Sequence, residues 1–148
     1  MYDLLIPRNA LVLIADGARA KLLRNTGTVR KLRFVTEFEM HQENPPTREQ
    51  GTDRPGRYLA ADGVSRSAVE QTDWHQRAEE RFARNVAALL YRIAHTRPFK
   101  RLIVIAAPRV LGDLRAAFHP EVAARVVAEI PRDLTPMPVA ELPRLLTA

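Results

Sequence analysis

Gln50-Gly51 is the pair of residues in this sequence best suited to act on a bound substrate. A glutamine amide can orient a water, and a glycine beside it lets the backbone approach a substrate closely. The pair stands inside residues 41–57, His-Gln-Glu-Asn-Pro-Pro-Thr-Arg-Glu-Gln-Gly-Thr-Asp-Arg-Pro-Gly-Arg, a run without one large apolar side chain. Three prolines and two glycines there rule out a regular helix or a central strand. Long polar loops are uncommon in small domains, where they are functional segments or solvated insertions. Neither Gln50 nor Gly51 is a strong base, so chemistry here would come from positioning and hydrogen bonding. Arg48, Arg54 and Arg57 face Glu43, Glu49 and Asp53 in the same run, which leaves it electrostatically balanced.

Other chemistries find less support. His41, His75, His95 and His119 are scattered without metal-ligand spacing, so no metal is expected. Asp16 closes an apolar run and could serve as a metal carboxylate in a nuclease-like fold. Its Asp16-Gly17 context reads better as a hairpin turn with positive φ at both residues. Gly63-Val64-Ser65-Arg66-Ser67 lacks the last glycine of a nucleophile elbow. No phosphate-loop or dinucleotide glycine pattern occurs, so no cofactor is expected. The absence of cysteine excludes disulfides and thiolate chemistry. Trp74, the single tryptophan, could stack on a base but reads better as a staple of a helix start to the core.

The formal charge of +6 points to an anionic partner. Residues 17–33 hold Arg19, Lys21, Arg24, Arg30, Lys31 and Arg33 and no acid. Any phosphate-docking surface is therefore expected on the N-terminal strands, with Arg19, Lys21 and Arg24 as contacts. A solvated basic face would show the same pattern. The opening residues lack a signal peptide's basic and apolar regions, and no apolar run is long enough to span a bilayer. The expectation is a cytoplasmic protein without membrane contact.

These residues need a scaffold, and 148 residues suffice for one domain with a real core. Residues 11–15 are uniformly apolar and read as a buried first strand. Residues 18–24 follow as a second strand. Leu32, Phe34, Thr36 and Phe38 alternate with Arg33, Val35, Glu37 and Glu39 as a half-buried third. Residues 58–71 are left irregular. Asp73 caps a helix whose stripe is Ala78, Phe82, Val86, Leu89, Leu90 and Ile93, ended by Pro98. Residues 102–107 are a central strand, with Val104 and Ile105 almost fully buried. A short helix runs through Leu111, Leu114 and Phe118. His119-Pro120 opens another, with Val122, Val126, Val127 and Ile130 as its buried stripe. Residues 133–135 add an edge strand, and a last helix through Val139, Leu142 and Leu146 is weakened by Pro143. The fold class expected is α/β: one domain over 1–148, a mixed sheet of an antiparallel meander plus an inner parallel strand, and helices on both faces.

Asn44-Pro45-Pro46-Thr47-Arg48-Glu49-Gln50-Gly51-Thr52-Asp53-Arg54-Pro55-Gly56-Arg57, followed by Arg66-Ser67-Ala68-Val69-Glu70-Gln71-Thr72-Asp73-Trp74-His75, resembles the bacterial host attachment protein family. The element order is similar to the central domain of archaeo-eukaryotic peptide-chain release factors and Pelota. In release factors the loop carries Gly-Gly-Gln, which places a water at the peptidyl-tRNA ester. Here Glu49 precedes Gln50 and Gly51 follows it, so Gln50 matches by location. The resemblance implies a cytoplasmic module at the ribosome or RNA, with Gln50 and Gly51 as catalytic residues of ester hydrolysis. Arg19, Lys21, Arg24, Arg48, Arg54 and Arg57 would then contact RNA. The alternative is a non-catalytic interaction protein that influences host-cell attachment indirectly.

Overall fold

A computed structural model of the chain describes residues 4–42 and 63–147, with the side chains of 63–72 outside its description. Five strands form one mixed sheet. They are β1 (Leu11–Ala15), β2 (Arg19–Asn25), β3 (Phe34–His41), β4 (Leu102–Ala106) and β5 (Val126–Ile130). The order is β3-β2-β1-β4-β5. β1 pairs antiparallel with β2, and β2 with β3, while β1–β4 and β4–β5 are parallel. The helices are α1 (Gly63–Thr96), α2 (Pro108–Ala117), α3 (Pro120–Ala123) and α4 (Leu142–Thr147), the last preceded by a 3-10 turn at Val139–Glu141.

β1 and β4 are apolar throughout because both of their faces are covered. Leu11, Leu13, Leu102 and Val104 point to one core, which α1 closes with Phe82, Val86 and Leu90 and α2 with Leu111 and Leu114. Val12, Ile14, Ile103 and Ile105 point to the other. There Ile6 packs from the segment ahead of β1, and Leu134, Leu142 and Leu146 from the C-terminal region. Val104 is 1% exposed and Ile105 0%, as expected. The mixed sheet with helices on both faces is as the sequence implied.

Several elements differ from expectation. Val126, Val127 and Ile130 are not a helical stripe but strand β5, whose burial alternates with period two. The β-branched pair Val126-Val127 favours a strand, and the free edge of β4 supplies its hydrogen bonds. α3 is accordingly a single turn, capped by His119, whose Nδ1 accepts from the Glu121 N–H at 3.0 Å. Residues 133–135 are not an edge strand but lead into a turn at Thr135-Pro136, closed by the Met137 N–H on the Leu134 carbonyl at 3.0 Å. Pro143 does not break its helix, because α4 begins at Leu142 and a proline in the first turn gives up no hydrogen bond. α1 starts at Gly63, so its first turns take in part of the stretch expected to be irregular, and Asp73 lies inside the helix rather than at its cap. Trp74 is 44% exposed and staples nothing to the core.

β3 departs most informatively. Leu22 pairs with Phe38 but Leu23 with Thr36, so Glu37 is an extra residue in the ladder. This bulge breaks the expected alternation. Phe34 packs toward the α4 side, whereas Phe38 and Met40 pack toward α1.

Candidate functional site

In open α/β sheets ligands gather outside the carboxyl ends of the parallel strands. Here that end carries the β1–β2 turn, the segment after β5 and the point where the chain leaves β3. Asp16 organises the turn. Its Oδ1 accepts from the backbone N–H groups of Ala18 (2.8 Å) and Arg19 (2.7 Å). Its Oδ2 takes the Arg19 guanidinium through Nε (3.0 Å) and Nη2 (2.9 Å). Thr135, buried after β5, reaches the same oxygen with its hydroxyl at 3.3 Å, and Arg19 Nη2 lies 3.3 Å from that hydroxyl. Asp133 accepts from the Thr135 N–H at 3.0 Å.

The turn is not the type expected, since neither Asp16 nor Gly17 has positive φ. The aspartate side chain makes it instead. A Cβ at Gly17 would sit 2.5 Å from Glu79 Oε2 of α1, so a side chain there would require the flexible glutamate to move aside. With both Asp16 oxygens committed to hydrogen bonds, its chemistry is that of a turn. Among the described residues, no cluster of His, Asp or Glu is arranged to hold a metal ion.

Burial would raise the Asp16 pKa, but the hydrogen bonds from Ala18 and Arg19 and the Arg19 charge outweigh it and hold the carboxyl below its ordinary value of 3.8. A lowered folded pKa stabilises the fold above the unfolded value, and that contribution disappears as pH falls through the folded one. Asp16→Asn should therefore be less stable than wild type at neutral pH, with the gap narrowing below pH 3.8. Denaturant melts across that range measure it, and a constant gap would remove the carboxylate from the account.

The chain leaves β3 at the same end. Gln42 donates its N–H to the Ala18 carbonyl (2.9 Å) and its side-chain amide to the Ala78 carbonyl of α1 (2.8 Å). That one residue ties the β1–β2 turn, the end of β3 and α1 together. α1 is 34 residues long, about 51 Å at helical rise, against about 17 Å for a five-residue strand. Its buried face is described from Ala78 onward, and Asp73, Trp74, Gln76 and Arg77 before it are exposed. Gln50, Gly51, Arg48, Arg54 and Arg57 lie between Gln42 and Gly63, outside the described residues.

The three strand cations part company. Arg19 is held by Asp16. Lys21 is partly exposed, opposite Glu39 in the ladder. Arg24 is 7% exposed and points inward. Its Nε and Nη2 bind Glu37 Oε1 at 2.8 Å each. Its guanidinium also donates to the carbonyls of Arg97 (2.8 Å), Pro98 (3.3 Å) and Asn9 (3.3 Å). Glu37 Oε2 takes Arg97 Nη1 at 3.4 Å. Arg24 thus clamps the end of α1 to the sheet and offers nothing to a phosphate outside. Alternation along β2 signals this, since Arg24 shares its face with the buried Ala20 and Leu22.

No curated protein matches the chain. A family profile does, that of bacterial archaeo-eukaryotic release factor family 12, over residues 9–146. The match takes in the meander, the polar segment, α1, β4 and the C-terminal elements, so this chain belongs to bacterial archaeo-eukaryotic release factor family 12.

Proposed function

We propose that this release-factor-like module works at the ribosome, with residues 43–62 reaching the peptidyl-tRNA ester. The observation that carries the reading is the anchoring of Gln42, the residue ahead of the polar segment, at the sheet's carboxyl end, the end at which such sheets bind ligands. Family membership supports the ribosome as the setting. Within the segment Gln50 orients the attacking water, Gly51 allows close backbone approach, and Arg48, Arg54 and Arg57 face tRNA phosphates.

No general base is available in that pair, so the ribosome supplies the rest of the site. The isolated protein is accordingly inert toward small esters. The test is peptide release from purified ribosomes carrying a labelled peptidyl-tRNA, with co-sedimentation measured in parallel. Wild type should release peptide, and Gln50→Ala should abolish release while co-sedimenting as well as wild type. Full release by Gln50→Ala sinks the catalytic role. Co-sedimentation of wild type without release favours a non-catalytic interaction protein, whose effect on host-cell attachment is indirect. Glu49, where Gly-Gly-Gln has a glycine, is the feature that favours this second reading.

A further inference from the structure

The opposite end of the sheet carries a feature that the polar segment does not explain. β1 and β4 begin there, β2 ends there and β3 starts there. Three connections meet: residues 7–10 before β1, residues 26–33 between β2 and β3, and residues 97–101 between α1 and β4. Together they hold Arg8, Arg30, Lys31, Arg33, Arg97, Lys100 and Arg101, and no acidic residue. All seven are exposed. In the rest of the chain sixteen basic residues face seventeen acidic ones, from totals of 23 and 17. This one end therefore accounts for the whole net positive charge.

The cations are mounted on an ordered frame. Asn25, fully buried, accepts from the N–H groups of Gly27 (2.9 Å) and Arg33 (3.0 Å) with its Oδ1. Its Nδ2 donates to the Ile6 carbonyl (2.8 Å) and, at 3.3 Å, to those of Pro7 and Thr28. The turn before β1 closes with Ala10 N–H on the Pro7 carbonyl (3.1 Å) and puts Asn9 at φ 72°, as the third residue of a type II turn requires. Arg8 Nε holds the Gly27 carbonyl at 2.9 Å. A concavity of about 390 Å³ opens between residues 7–10 and 98–101, with Arg8, Lys100 and Arg101 on its wall. Arg97 is engaged by Glu37, whereas Arg30, Lys31, Arg33, Lys100 and Arg101 form no ion pair among the described residues.

We infer that this end is a docking surface for the phosphates of a single RNA strand. The inference takes RNA as the partner from the function proposed above, but its location rests on charge and geometry alone. Cations on three connections around a hollow match successive phosphates of a chain better than one isolated anion. With the phosphate-binding groups at one end and Gln42 at the other, the module would hold RNA by its base while presenting its opposite edge. Arg19 and Arg24, tied up in ion pairs, take no part.

Binding of a uridine oligonucleotide, followed across a salt series without ribosomes, tests the surface separately from any release activity. Arg8→Gln/Lys100→Gln/Arg101→Gln should weaken binding about tenfold or more at low salt. The slope of log affinity against log salt should fall by about two, near 0.7 for each phosphate of a single strand that is no longer neutralised. Arg30→Gln/Lys31→Gln/Arg33→Gln changes only exposed side chains on the hairpin and should act in the same direction. Arg19→Gln/Lys21→Gln removes two charges at a distance from this end and should bind as wild type does. The inference is overturned if wild type does not bind, if neither triple variant loses affinity, or if Arg19→Gln/Lys21→Gln loses as much. Displacement of the oligonucleotide by uridine monophosphate at equal phosphate concentration, or by vesicles of anionic lipid, would overturn it as well.

Discussion

Phe82→Ala should lower the unfolding free energy by about 3–5 kcal/mol, the range for deleting a large buried aromatic side chain. Phe82 is 2% exposed and lies in the core shared by α1 and the inner strands. It stands one turn after Ala78, where the described part of α1 first turns a residue inward. The ring therefore fixes the rotation of the helix on the sheet. Small domains are stable by roughly 5–15 kcal/mol, so the loss takes a large share of the total. Denaturant unfolding with an unchanged slope would read it. A loss under about 1 kcal/mol would mean that this face of α1 does not carry the core.

The Arg24 clamp should be of similar size, for a different reason. Arg24 and Glu37 are 8% and 6% exposed at their side chains. Breaking a buried pair by removing one partner costs about 3–5 kcal/mol, because the remaining charge is left uncompensated. Arg24→Met and Glu37→Leu should each fall in that range. The double variant removes both charges and should recover part of the loss. Recovery stays incomplete because the carbonyls of Asn9, Arg97 and Pro98 are also left without their donor. A double-mutant cycle isolates the pair. Single variants as stable as wild type would show that the end of α1 is held by other means.

The parts of the fold legible in the sequence were those with uniform patterning. β1 and β4 are apolar on both faces, and the α1 stripe repeats at three and four, so both follow from one local rule each. What stayed hidden depends on pairing between distant segments. β5 is five residues, apolar but for Glu129, that would suit a helix equally well until β4 is there to pair with them. Glu37 reads as the outward residue of an alternating strand, and only the register with β2 turns it into the counter-charge of Arg24. Charge counting along residues 17–33 located a basic stretch correctly, yet the hairpin divides it. Arg19 ends beside Asp16, Arg24 is buried, and Arg30, Lys31 and Arg33 reach the far end of the sheet. The candidate site was legible only as far as its polar composition.

The bulge at Glu37 makes that position of β3 matter for its carboxylate more than for its place in the ladder. Phe34 on one side of it and Phe38 and Met40 on the other serve opposite layers. Most substitutions along β3 would disturb one side chain's packing. Deleting Glu37 would join Thr36 directly to Phe38 and leave a regular ladder, with Thr36 still opposite Leu23 and Phe38 still opposite Leu22, so that Phe34, Phe38 and Met40 all keep their layers. Deleting Thr36 instead would seat Glu37 opposite Leu23, on the face away from Arg24. The added residue is thus a mounting for one carboxylate, and a frame-preserving loss of its codon would cost the Arg24 clamp while the strand kept its packing.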